Sequence, residues 1–122
     1  MIKVLIIDDS VDLSQMYKYK LQREGYEVVI ENDPEKAVDV IVRNNPAIVL
    51  LDLMMPIKNW FDILTELKEF YKDKITSKII LFSNINSEKD KSKAFSLWVY
   101  DFKLKADMSP RELVEELKKI KI

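Results

Sequence analysis

Residues 3–9, KVLIIDD, and residues 47–52, AIVLLD, decide the fold. Each is a short apolar run that stops abruptly on acid, at Asp8 and Asp9 in the first and at Asp52 in the second. Runs of this length and composition read as strands buried on both faces, and such strands belong to parallel sheets covered by helices on either side. KIILF at 78–82 reads the same way, whereas YEVVI (26–30) and YDFKL (100–104) are more mixed and fit positions nearer the edges.

Outward from these runs the chain alternates regularly. The pattern predicts strands at 3–7, 27–31, 47–51, 78–82 and 100–104, separated by helices over about 10–24, 34–44, 60–71, 87–97 and 109–120. Five βα units predict an α/β fold: a five-stranded parallel sheet of order 2-1-3-4-5, doubly wound in the flavodoxin-like manner. The helix ends have local causes. Ser10 or Asp9 can cap the first helix, and Gly25 can end it because it enters a left-handed conformation without a Cβ penalty. Asp33 before Pro34 starts the second, and Ser109, Pro110 and Glu112 start the last as a capping box. No repeat or linker interrupts the order, so residues 1–122 read as one domain.

Composition narrows the chemistry. With 122 residues, 48% of them hydrophobic and 34% charged, the chain can bury a substantial core and remain soluble. It has no Cys and no His, which removes thiolate nucleophiles, zinc-thiolate sites and imidazole bases. Catalysis is left to carboxylates, hydroxyls, amines and a metal. Twenty basic against 21 acidic residues create no global field for nucleic acid, and the lysine-rich stretch SEKDKSKAF (87–95) reads as a solvated helix face. No apolar stretch approaches the ~20 residues of a membrane span, and MIKVLII is too quickly followed by acid for a signal peptide, so a cytoplasmic location is expected.

In an open parallel sheet, ligands bind outside the carboxyl ends of the strands. Asp8, Asp9 and Asp52 come from adjacent strands at that edge, and capping explains only one or two of them. Three acids there require a counter-charge, and the expected one is Mg²⁺, which takes oxygen ligands and bridges carboxylates to phosphate. Asp52, central on the edge, is the candidate nucleophile, with Asp8 and Asp9 holding the metal. Ser83 after the fourth strand and Lys105 after the fifth would add a hydroxyl and a cation, completing a phosphoryl-transfer site.

In VLIIDDS, LLDLMMP, LFSN and FKLKADMSP, taken in register over essentially the whole chain, the sequence resembles the receiver domain of two-component response regulators, particularly stand-alone receivers of the chemotaxis type. The resemblance implies a metal site of Asp8, Asp9 and Asp52 with the Met54 carbonyl, a phosphoacceptor at Asp52, a phosphoryl-sensing hydroxyl at Ser83 and a paired lysine at Lys105. It also implies a switch in which Phe102 changes rotamer with Ser83. Trp60 stands where the family usually has glycine, and Ala106 replaces the usual proline after the lysine, which touches loop geometry more than reactive groups. The resemblance also sets Met54 and Ile85 at positions that in the family flank the route of attacking water, and since both are apolar here, slow autodephosphorylation is expected.

The implied activity is that of a switch, catalysing its own phosphorylation and dephosphorylation rather than a metabolic reaction. A histidine kinase or phosphotransfer protein donates. The expected output is a protein target or a homodimer through helix four, strand five and helix five, where Phe95, Trp98 and Phe102 lie among lysines, a core place for Phe95 being equally open. A non-phosphorylated interaction module of the same fold is the alternative. An aspartyl-phosphate hydrolase would need an Asp-x-Asp motif and a cap, and the acidic loop DDSVD (8–12) would repel a flavin phosphate. A dinucleotide site is excluded because the sole glycine is Gly25. DNA and membrane partners have no support.

Overall fold

The computed structural model describes residues 1–52, 59–83, 88–97, 99–104 and 108–120, with the main chain alone at Ser83. Five strands, β1 (Lys3–Ile7), β2 (Glu27–Glu31), β3 (Ile48–Asp52), β4 (Lys78–Ser83) and β5 (Asp101–Leu104), form one sheet of order β2-β1-β3-β4-β5. Every pairing is parallel. The helices are α1 (Val11–Arg23), α2 (Ala37–Asn44), α3 (Trp60–Phe70), α4 (Glu88–Phe95) and α5 (Pro110–Lys118). This is the doubly wound flavodoxin-like arrangement expected from the alternation.

The pleat sorts the apolar residues into two layers. Leu5, Ile7, Val49, Leu51, Ile79 and Leu81 face α2, α3 and α4, and their alternates Val4, Ile6, Ile48, Leu50, Ile80 and Phe82 face α1 and α5. β3, central in the sheet, is buried along its whole length, while the edge strands β2 and β5 are only partly covered.

Local chemistry sets the helix ends as the sequence implied, with two adjustments. Ser10 caps α1, accepting from the Leu13 N–H, and Ser109 caps α5, accepting from the Glu112 N–H. Gly25 has φ +94°, and a Cβ there would meet nothing within 4 Å, so its requirement is conformational and not steric crowding. The stretch after Asp33 begins as a single 3₁₀ turn, Pro34–Lys36, before α2, and α2 ends on Asn45 in a left-handed conformation. Trp60 opens α3 behind the Asn59 cap and is buried in the α2/α3 layer, its ring edge-on to Phe61. The glycine position of the resemblance is thus filled by a packed ring.

On the α4–β5 surface the structure overturns one expectation and decides one open reading. Phe102 is 7% exposed and not a surface aromatic: its register partner is Leu81, which directs it into the α2/α3/α4 layer. Phe95, for which a core place was open, is 50% exposed. α4 itself is a solvated helix with Ala94 as its buried residue. Trp98 lies outside the described residues.

Candidate functional site

β1 and β3 lie side by side, and their last register pair is Ile7 with Leu51. One residue further on, Asp8 and Asp52 stand level. They are in phase with Val4, Ile6, Ile48 and Leu50, so the pleat places both on the α1/α5 side. Asp8 is 3% and Asp52 4% exposed. Alternation would send Asp9 to the opposite side, but the strand has ended, and the turn into α1 returns it to its neighbours. Carboxylate oxygens of Asp8, Asp9 and Asp52 all lie within 4.8 Å of one another, with Asp9 exposed to solvent.

Backbone donors and a side-chain amide hold this loop. The Ser10 N–H donates to Asp8 Oδ1 at 2.9 Å, and Asp8 N–H donates to the Glu31 carbonyl at 3.2 Å. Asn32 Nδ2 donates to the Asp8 carbonyl at 2.6 Å and to Ser14 Oγ at 3.2 Å, and the buried Ser14 hydroxyl donates to the Ser10 carbonyl at 2.7 Å. Neither Asn32 nor Ser14 stood out in the sequence. An Asn after a strand reads as a turn residue, and only the fold brings it over the first loop.

The three carboxylates suit a divalent cation. Two ligands on opposite sides of a Mg²⁺ ion are about 4.2 Å apart, given bonds of about 2.1 Å. Oxygens gathered within 4.8 Å therefore close on one ion after sub-ångström movement. An all-carboxylate donor set, without imidazole or thiolate, selects a hard cation over zinc or copper.

The neighbouring strand β4 brings one further predicted position, Ser83, to the same edge. Phe82 is the register partner of Asp52, and its ring stacks on Tyr17 at 5.9 Å on the α1/α5 side of the sheet. Ser83 is the next residue and closes β4, paired with Leu104. Lys105 directly follows Leu104 in the chain. Lys105, Met54, Ile85 and Ala106 lie outside the described residues. Phe102 is packed inward, with the Lys91 ammonium 5.7 Å from its ring centroid.

The profile of the response regulator receiver domain matches residues 4–118. The chain belongs to the response regulator receiver family. This receiver also superposes on solved relatives over nearly its full length. A chemotaxis response regulator of Vibrio cholerae, CheY4, is 25% identical with a TM-score of 0.83, covering 98% of each chain. The receiver domain of the Francisella response regulator 1452 is 26% identical with a TM-score of 0.83, covering 98% of this chain and 95% of that one. A CheY-like receiver from Methanospirillum hungatei, at 22% identity, TM-score 0.85 and coverage of 98% and 92%, speaks to the fold alone. In this receiver the Asp8, Asp9 and Asp52 cluster is consistent with phosphorylation chemistry and with a divalent metal. No helix among the described residues is long and apolar enough to cross a membrane.

Proposed function

We propose that this receiver accepts a phosphoryl group on Asp52 from the phosphohistidine of a partner kinase or phosphotransfer protein, and passes the signal on by protein binding. The observation that carries this reading is the convergence of Asp8, Asp9 and Asp52 within 4.8 Å at the carboxyl edge of a receiver sheet. An Asp52 carboxylate oxygen attacks phosphorus, the bond from phosphorus to the donor nitrogen breaks, and the imidazole nitrogen leaves with the electron pair. The product is an acyl phosphate. Hydrolysis returns the free carboxylate and inorganic phosphate.

Asp52 is 4% exposed at the end of a central strand buried along its whole length, so its approach to phosphorus is oriented and it is shielded from bulk water. Mg²⁺, held by Asp8, Asp9 and Asp52 with the Met54 carbonyl, would supply charge neutralisation for the incoming phosphoryl oxygens. Ser83 donates its hydroxyl to a phosphoryl oxygen and Lys105 pairs with the phosphate. Coupled movement of Ser83 and Phe102 then alters the surface of α4, β5 and α5, to which a target or a second copy binds. A cytoplasmic setting and one domain over residues 1–122 complete the proposal.

Intact-mass measurement after incubation with acetyl phosphate, with and without Mg²⁺, tests it. One Mg²⁺-dependent phosphoryl adduct in the wild type and none in Asp52→Asn is the expected result. Absence of any adduct, together with absence of Mg²⁺ binding, would overturn the reading in favour of a non-phosphorylated interaction module.

A further inference from the structure

The parallel ladder between β1 and β2 ends in an unusual way. In a parallel pair, a residue whose N–H bonds one carbonyl of the neighbouring strand offers its own C=O to the N–H two residues further along that strand. Asp8 N–H bonds the Glu31 carbonyl at 3.2 Å, so the donor due to the Asp8 carbonyl is the Asp33 N–H. That N–H is instead turned to the Glu31 carboxylate, at 3.0 Å to Oε2. The Asn32 side-chain amide takes its place, 2.6 Å from the Asp8 oxygen. The last rung is thus made by a side chain, which frees β2 to turn toward α2 while the peptide between Asp8 and Asp9 stays held.

That peptide carries both members of the acid pair. The same amide reaches Ser14 Oγ at 3.2 Å, and Ser14, fully buried, donates onward to the Ser10 carbonyl at 2.7 Å. Asp8 Oδ1 accepts from the Ser10 N–H. A closed polar circuit therefore runs from Asn32 through Asp8, Ser10 and Ser14 back to Asn32, enclosing the turn on which Asp8 and Asp9 are mounted. Like-charged carboxylates repel, and without a restraint the more exposed Asp9 would swing away from Asp8 and Asp52.

We infer that Asn32 is a positioning residue for the acid pair, holding the Asp8–Asp9 peptide so that both carboxylates stay within reach of one cation shared with Asp52, with Ser14 as its anchor. The inference rests on the metal-assisted phosphoacceptor reading. Residues that orient metal ligands from behind change metal affinity by roughly 10–100-fold when removed.

The test compares wild type, Asn32→Ala, the similarly shaped but nonpolar Asn32→Leu, and Ser14→Ala. Mg²⁺ affinity is read by titration calorimetry, and amide exchange at Asp9 and Ser10 is read in metal-free protein. Both Asn32 variants are expected to raise the Mg²⁺ Kd at least ~10-fold and to speed exchange at those two amides, with exchange in α5 unchanged. Ser14→Ala, which keeps the bond to Asp8, has a smaller effect. Unchanged Mg²⁺ affinity in both Asn32 variants, even with a lowered Tm, overturns the proposal and leaves a structural role. Failure of the wild type itself to bind Mg²⁺ would sink the phosphoacceptor reading as well, and that failure is visible before any variant is made.

Discussion

The Lys93 ammonium sits 4.0 Å from the centroid of the Phe61 ring and ties α4 to α3. The tie matters because, among the described residues, Ala94 is the one buried residue of α4, joined by the Lys91 ammonium over the Phe102 ring and by Lys68 Nζ at 3.4 Å from the Ser96 carbonyl. A cation over an exposed or half-exposed ring contributes about 0.5–1 kcal/mol. Lys93→Ala should therefore speed amide exchange in α4 while leaving the β1–β3 core unchanged. A double-mutant cycle with Phe61→Leu should show a coupling of about 0.5–1 kcal/mol, and zero coupling would refute the tie.

Trp60 is packed, not merely tolerated. It is 7% exposed and belongs to the layer built by Ile63, Leu64 and Leu67. Trp60→Ala is expected to cost about 3–5 kcal/mol, because the cavity left by an indole does not collapse fully. The urea midpoint measures it, and a loss below about 1 kcal/mol would show that the loop rearranges to fill the space.

Acidification should loosen α5. Glu116 accepts hydrogen bonds from Lys103 at 3.1 Å and Lys119 at 3.3 Å, which hold its carboxyl below the ordinary value of 4.5. Glu24 is lowered likewise, first by its hydrogen bond from Lys118, a contact that joins α1 to α5. A depressed carboxyl adds stability above its unfolded value, and that stability is lost as pH falls through the folded one. The urea midpoint should decline on the acid side of 4.5, and Glu116→Gln should flatten part of that decline.

The alkaline side has the opposite sign. Burial lowers the pKa of Lys103, but its bonds to Asp101 and Glu116 outweigh burial and raise it above 10.5. Its contribution is complete below 10.5 and is lost as pH rises through the folded value. Lys103→Met should remove this alkaline sensitivity in the same titration.

Mg²⁺ should stabilise the wild type by about 2.7 kcal/mol when present at 100 times its Kd. Asp52→Asn removes one of the clustered carboxylates and should lose most of the shift. Equal shifts in both proteins would place the ion elsewhere.

The lifetime of the phosphorylated form is expected to be long, since neither Met54 nor Ile85 can orient water by a side-chain hydrogen bond. Changing both to Asn should raise autodephosphorylation about tenfold, short of the ~10²–10⁴ of a full general base. Loss of phosphoryl label over time is the measurement, and an unchanged rate would refute the assignment.

The strands and helices were legible because their causes are local. The apolar runs of β1, β3 and β4 need no partner to declare themselves, nor do the serines and prolines at the helix starts. The acid positions were legible for the same reason, Asp8 and Asp52 each being the first polar residue after a buried run and Asp9 the next after Asp8. Phe102 and Phe95 were not legible, because an aromatic beside a lysine reads alike whether it faces a sheet or solvent; only pairing with Leu81 put Phe102 inside. Asn32 escaped notice because its role depends on the Asp8 carbonyl, 24 positions away in the chain.

By itself, then, the sequence determined the alternation, the parallel sheet and the placing of Asp8, Asp9 and Asp52 at strand ends, since hydrophobic period and turn chemistry act over a few residues. Tertiary structure alone decided that Asp8 and Asp52 stand level on one side of the sheet, that a side chain from β2's end restrains the acidic turn, and that Trp60 fills a core layer. Those outcomes depend on strand order, register and the packing of residues distant in sequence, which no local pattern encodes.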